Sequence, residues 1–280
     1  MSQRPINMSS SIPRIPGVKT IIAVGSGKGG VGKSTVSLNL AVALQQLNLN
    51  VGLLDADIYG PNQAHLLNTK QRANIQDNRY QPVIAHNLQT MSLSYLVDDE
   101  SPMIWRGPMV SKMLQQLLLM TAWNNVDTLV IDLPPGTGDV PLTLSKKAPV
   151  TGAIIVTTPQ SLATADADKG INMFKKIQVP LFGIVENMSY HQCQQCGHQD
   201  PIFGRDGAQK LAQKHQVDLL GALPLHADVR ITSDLGTPLV SQNPGHHISQ
   251  SMMNIAHQVQ QKLNLHFDKN KSTFPNIVIE

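Results

Sequence analysis

No run in this chain approaches the roughly 18 consecutive apolar residues of a membrane span, which argues against a helical membrane protein. Residues 1–20 lack the apolar core of a secretory signal; they are rich in Ser and Pro, carry Arg4 and Arg14 and no acidic residue. Prolines there oppose the amphipathic helix of a transit peptide, so the stretch reads as a flexible lead-in. Concentrated charge is missing too. The formal net charge is +3 with no basic tract, which argues against nucleic acid as the main partner. Cysteine is nearly absent: the two present, Cys193 and Cys196, sit close together. That is no disulfide framework and points to a reducing, cytoplasmic compartment in which paired thiols are kept for chemistry. There are no internal repeats and no clear linker, and 280 residues with 41% hydrophobic content suffice for one large core. The expected organisation is a lead-in over 1–19, one domain over 20–265 and a polar tail over 266–280.

What is present begins at residue 20. Ile21-Ile22-Ala23-Val24 reads as a buried strand, residues 25–35 (Gly25-Ser26-Gly27-Lys28-Gly29-Gly30-Val31-Gly32-Lys33-Ser34-Thr35) as a glycine-rich loop, and residues 33–47 as a helix with Leu40, Ala43, Leu44 and Leu47 on its periodicity. Gly27 to Ser34 fits G-x-x-x-x-G-K-[ST] without a mismatch. Strand, loop and helix in this order form a P-loop, whose backbone N–H groups face phosphate oxygens while the helix N-terminus adds its partial positive charge. Lys33 is expected on the β- and γ-phosphates and the Ser34 hydroxyl on Mg²⁺. Lys28 lies too early to share the role of Lys33; a lysine here can point outward to the nucleotide of a facing subunit.

Further candidates sit at strand ends, where open α/β sheets gather ligands. Val51–Leu54 leads to Asp55 and Asp57. Asp57 is expected to orient a water near the γ-phosphate, and Asp55 to contact Mg²⁺ or its waters; the competing reading is an Asx turn before Tyr59-Gly60-Pro61-Asn62. Residues 127–133 are an apolar strand carrying Asp132, the Walker B pattern for Mg²⁺, followed by Pro134-Pro135-Gly136-Thr137-Gly138-Asp139, a candidate switch loop. Gly152–Thr157 is a strand, with Ser161 expected to cap a helix to about Ile177. Pro180–Val185 is another strand, ending near Asn187, whose amide can pair with an adenine edge. Pro224, after a last strand over Val217–Leu223, can pack on the base or simply start a loop. Gln71–Gln81 reads as a polar loop, Leu88–Leu93 as a strand, and Val110, Met113, Leu114 and Leu117 as a helical stripe, more in keeping with core than with an interface. Residues 227–238 read as connecting chain and 247–263 as a terminal helix. The fold class is α/β, with a mostly parallel central sheet and helices on both faces.

Two readings compete for Cys193 and Cys196. With His191 and His198 they can make a tetrahedral Zn²⁺ site in one chain. Otherwise two thiols per chain fill half a coordination sphere, and a dimer axis through this loop brings together four thiolates, the complement of a [4Fe–4S] cluster.

Gly27-Lys28-Gly29-Gly30-Val31-Gly32-Lys33-Ser34-Thr35 resembles the deviant Walker A motif of the MinD/ParA/nitrogenase-iron-protein group. Asp55-Ala56-Asp57-Ile58-Tyr59-Gly60-Pro61-Asn62, Leu133–Asp139 and Glu186-Asn187-Met188 ahead of the two cysteines narrow the likeness to the Mrp/ApbC family of iron–sulfur cluster carrier ATPases, over roughly residues 15–238. The resemblance implies an ATP-binding homodimer, a [4Fe–4S] cluster bridged by Cys193 and Cys196 of both chains, and its delivery to apo-proteins, with neither membrane nor nucleic acid as partner. It implies that residues 28–33 cradle phosphates, Thr35 contacts the α-phosphate, Ser34 and Asp132 hold Mg²⁺, Asp57 positions the attacking water, and Lys28 acts across the dimer. Many bacterial members carry a small extra domain before the ATPase, so a short form is expected here. Rival readings are a MinD/ParA-like positioning ATPase, for which residues 247–263 make a poor lipid anchor, and a zinc-stabilised nucleotide-binding adaptor.

Overall fold

The computed structural model describes residues 14–97, 107–193 and 195–271. In chain order the elements are β1 (Val18–Ser26), α1 (Lys33–Gln46), β2 (Val51–Asp55), α2 (Gln63–Leu66), β3 (Ile75–Gln76), β4 (Arg79–Tyr80), β5 (Val83–Ala85), β6 (Leu88–Met91), α3 (Gly107–Leu119), β7 (Val126–Asp132), α4 (Asp139–Lys147), β8 (Gly152–Thr157), α5 (Ser161–Lys176), β9 (Leu181–Glu186), β10 (His191–Gln192), β11 (Gln199–Asp200), α6 (Gly207–His215), β12 (Leu219–Ala222), α7 (Ala227–Leu235), α8 (Leu239–Gln242) and α9 (His247–Lys271).

Eight strands form one sheet in the order β12-β9-β8-β1-β7-β2-β6-β5, parallel except where β5 runs against β6. Strand alternation explains how one sheet supports two cores. Ile21 and Ala23 of β1, Leu129 and Ile131 of β7, and Ala153 and Ile155 of β8 face one apolar layer, which α3, α5 and α6 cover with Leu114, Phe174 and Leu211. Ile22, Val24, Val130, Ile154 and Val156 face the other, covered by α1 and α9. Helix α1 is buried almost all round, because it lies between the sheet and α9 rather than at the surface.

β1 sits between β7 and β8, and the chain leaves it first toward β2 and later returns to β8 on its other side. This reversal opens the crevice at the carboxyl ends of the strands. Register brings Asp55 directly beside Asp132 there, with Val24 of β1 on the other flank of Asp132.

Several local expectations change. The polar 71–81 stretch contains a two-stranded ladder, β3 with β4, turning through Asp77 and Asn78 at φ 50° and 59°, the left-handed pair that a tight hairpin requires. The expected 88–93 strand stops at Met91, and Leu93–Tyr95 forms a 3-10 turn capped by Ser92. Ser161 is the first residue of α5 rather than its cap; Gln160 holds the cap position with no side-chain hydrogen bond. The connecting region after Pro224 folds into α7 and α8, α7 being stopped by left-handed Gly236. Helix α9 continues through the boundary expected at residue 265. Val110, Leu114 and Leu117 are core, as the blander reading of that stripe held. Residues 1–13, 98–106 and the tail beyond 271 lie outside the described residues.

Candidate functional site

The glycine loop links β1 to α1 as its motif required. Gly30 and Gly32 take φ of 79° and 81°, the left-handed region that glycine enters without strain. Gly27 answers to packing instead: a Cβ there would stand 2.1 Å from the Asp166 carbonyl carbon of α5. A Cβ on Gly29 or Gly30 would meet nothing within 4 Å, so the loop's outer face is open. The cleft above it, about 320 Å³, is bordered by Lys28, Lys33, Ser34, Thr35, Asp57 and Pro135.

Beneath the loop lies a closed set of polar contacts. Lys33 Nζ donates to Asp132 Oδ1 at 2.5 Å and to Ser34 Oγ at 3.2 Å. Ser37, one helical turn after Lys33, donates to the same Asp132 oxygen at 2.9 Å. Gln63 Nε2 donates to Asp132 Oδ2 at 2.9 Å and to the Ser34 carbonyl at 3.1 Å. Asp55 accepts from the backbone N–H of Asp57 at 3.1 Å and of Gln63 at 3.0 Å, and from the Ser92 hydroxyl at 3.3 Å. Its two oxygens therefore organise the 55–63 turn, which is the Asx-turn reading of this residue. Burial, reinforced by the neighbouring Asp132 charge, pushes the Asp55 carboxyl up to about 7. Burial also raises Asp57, against the pull of Lys33.

Asp55, Asp57 and Asp132 thus converge on one buried lysine. Such a donor set, all oxygen and rich in carboxylate, suits a hard divalent cation of the magnesium class. The buried Oε1 of Gln63 has no partner, a free oxygen acceptor in the same place.

The residues expected around a base also come together. Asn187 and Pro224 border an apolar crease with Thr35, Val36, Val229 and Met252. The Asn187 amide does not project freely: Nδ2 donates to the Val31 carbonyl at 2.9 Å, and a Cβ on Gly32 would stand 2.2 Å from it. After Asp132, the Gly136 N–H donates to the Ser26 carbonyl at 2.9 Å, laying the candidate switch loop against β1. Lys28 is half-buried at the mouth of the cleft and, unlike Lys33, makes no ion pair among the described residues.

The cysteines occupy the tip of a small hairpin, β10 with β11. The Cys193 N–H donates to the His198 carbonyl and the Gly197 N–H to the Cys193 carbonyl, both at 2.9 Å, with Gly197 at φ 72°. The Cys196 N–H, and after it that of Gln195, donates to the Cys193 sulfur and lowers its thiol below the ordinary value. Cys193 is half-buried and Cys196 exposed. The single-chain zinc arrangement is not formed: neither His191 nor His198 makes a third vertex with the cysteines. Among the described residues the one such group with ligand atoms within 4.8 Å is His226, Asp228 and His246. In it, Nδ1 of His226 accepts from the Asp228 N–H and Nδ1 of His246 from the Ile248 N–H, so these rings serve the starts of α7 and α9.

A family model described as NUBPL iron-transfer P-loop NTPase, of the ParA group, matches residues 17–260. This chain belongs to that family. Among its relatives is an iron-sulfur cluster carrier protein of Haemophilus influenzae, 52% identical over 92% of this chain and 70% of the relative. Another is the mouse iron-sulfur cluster transfer protein NUBPL, 44% identical over 91% of this chain and 82% of the relative. A nucleotide-binding protein of Archaeoglobus fulgidus, solved in complex with ADP, superposes with a TM-score of 0.70 at 39% identity, covering 80% of this chain and 88% of that one. The cell division ATPase MinD of Pyrococcus furiosus shares the fold, with a TM-score of 0.64 at 20% identity over 86% of this chain and 98% of that one. The family's P-loop NTPase architecture is the one described above. Among the described residues no helix is long and apolar enough to cross a membrane.

Sequence reasoning missed Ser37, Ser92 and Gln63. Ser37 carried a signal, since it lies four residues after Lys33 on the same helix face. Ser92 and Gln63 carried none; their roles exist only once β2, β6 and β7 align.

Proposed function

We propose that this chain is an ATP-hydrolysing carrier of iron–sulfur clusters, holding a [4Fe–4S] cluster as cargo between two copies of itself and passing it to apo-proteins in the cytoplasm. The observation that carries the reading is the Cys193–Cys196 turn: a thiol lowered by two backbone N–H donors, beside a second exposed thiol, with no third ligand among the described residues. Thiolate, not thiol, is the ligand, and soft thiolates suit iron–sulfur chemistry. Two ligands per chain leave a cluster half held, so a second copy supplies the rest. The matched relatives, named as cluster carrier and transfer proteins, support the same reading.

In the nucleotide site, the backbone N–H groups of residues 28–33 receive the phosphates, and Thr35, with Asn187 and Pro224, flanks the α-phosphate and base. Lys33, now on Asp132, moves to the β- and γ-phosphates, which removes one of the two donors on Asp132 Oδ1. Ser34 and Asp132 would hold Mg²⁺, which supplies charge neutralisation of the phosphates. Asp57, at the cleft's edge, orients the attacking water. Its raised carboxyl suits it to receive that water's proton. Lys28 completes the site of the facing copy. Turnover is slow and tied to transfer through the loop after Asp132.

The test is iron and sulfide quantitation after anaerobic reconstitution, with Cys193→Ala and Cys196→Ala as comparisons. Each substitution is expected to abolish bound cluster. Full iron content in either variant would overturn the assignment, and zinc without iron in the unmodified chain would favour the adaptor.

A further inference from the structure

We propose that Gln63 is a positioning residue of the nucleotide site, bracing Asp132 with its amide N–H groups and offering its carbonyl oxygen to the water shell of the Mg²⁺ that accompanies ATP. The inference rests on the nucleotide reading above and adds a residue that no part of the P-loop motif names.

Four observations carry it. Gln63 is 1% exposed although it opens a helix of only four residues. Its side-chain nitrogen donates to Asp132 Oδ2 at 2.9 Å and to the Ser34 carbonyl at 3.1 Å. Both partners are acceptors, so chemistry fixes which end of the amide faces them. Its backbone N–H donates to Asp55 Oδ2 at 3.0 Å, which pins the residue at its root as well as its tip. The carbonyl oxygen is buried and bare. A buried acceptor without a donor is costly to keep, and a brace between Ser34 and Asp132 alone does not explain it.

The two residues to which the Gln63 side chain donates, Ser34 and Asp132, are those assigned to Mg²⁺. Mg²⁺ keeps several of its waters when bound to protein, and each coordinated water presents O–H donors. With Lys33 on Asp132 Oδ1 and Gln63 on Oδ2, the carboxylate is occupied on both oxygens. Departure of Lys33 toward phosphate removes one of the two donors on Oδ1, leaving Ser37. Gln63 keeps Oδ2 in register and accepts from a metal-bound water.

The experiment is a Mg²⁺ titration of binding of a fluorescent ATP analogue to the full chain, paired with analogue affinity in EDTA. Outer contacts to metal sites are worth about 10- to 100-fold in metal affinity. Gln63→Met, close in volume but without the amide, is expected to raise the Mg²⁺ midpoint about tenfold while leaving affinity in EDTA close to that of the unmodified chain. A residue that only braced the fold would weaken both together. Gln63→Asn keeps the amide but cannot reach, and should raise the midpoint similarly; it serves if the Met variant fails to fold. An unchanged Mg²⁺ midpoint in either folded variant, or equal losses with and without Mg²⁺, overturns the proposal alone. Absence of Mg²⁺-dependent binding in the unmodified chain overturns the nucleotide reading and this inference with it.

Discussion

The P-loop floor and the cysteine hairpin are built on opposite principles. Lys33, Ser37, Gln63, Asp55 and Asp132 are buried and satisfy one another within a single chain, save for one amide oxygen. Cys193 and Cys196 lie toward solvent on a two-residue ladder and meet no further ligand among the described residues. The first region is a finished frame that a ligand must rearrange. The second is a fragment that, on the function proposed above, a second copy completes. Preorganisation favours chemistry repeated on one substrate, whereas an open, incomplete site favours a cargo that has to leave.

This contrast predicts where substitutions act. The largest effect should come from the cysteines: either alanine variant removes the cluster altogether yet keeps nucleotide affinity, as measured by iron content and by ATP-analogue binding. Coupled loss of both would break the separation. Next, Lys33→Ala should lower phosphate release by about 10³-fold, with cluster content retained. Lys28→Ala should cost about 10²-fold with nucleotide affinity kept, and tests the contrast from the other side. If Lys28 acts across a dimer, mixing the Lys28→Ala and Lys33→Ala chains restores part of the activity, because one of the two mixed sites is then intact. No recovery would leave the nucleotide site complete in one chain.

The smallest effect concerns pH. Asp55 stands at about 7 in the folded chain against an ordinary 3.8. The folded state therefore binds the proton more tightly than the unfolded one, and this stabilisation is fully present below about 4 and lost as pH rises through about 7. The slope is on the order of 1 kcal/mol per pH unit. Thermal melts of the unmodified chain between pH 5 and 7 should show it, and Asp55→Asn should flatten it. An unchanged slope in Asp55→Asn would assign the effect to another group.

Much of this was legible in the residues themselves. The glycine loop, the strand-end aspartates and the paired cysteines each declared themselves through local spacing, because a phosphate cradle, a strand terminus and a chelating turn are short-range objects. The alternation of Ile21, Ile22, Ala23 and Val24 likewise gave a strand buried on both faces. What stayed hidden was contact between segments distant in sequence. Gln63 carried no signal until β2 and β7 were in register. Asp55 read as metal ligand or Asx turn with equal force, and only the N–H groups of Asp57 and Gln63 with the Ser92 hydroxyl show its oxygens already engaged. α7 was read as connecting chain because its apolar residue Val229 finds its partners only in a core layer assembled from segments distant in sequence.

One hydrogen bond qualifies the separateness of the two regions. Asn187 Nδ2 and the Val31 carbonyl belong to residues 156 positions apart, and Gly32 lies so close to that amide that a Cβ added there would meet it at 2.2 Å. Just beyond Asn187 the chain runs directly into the cysteine hairpin. In the vocabulary of inheritance, position 32 admits one letter, for its backbone as much as for the amide above it, and it carries that constraint at the root of the segment leading to the thiols.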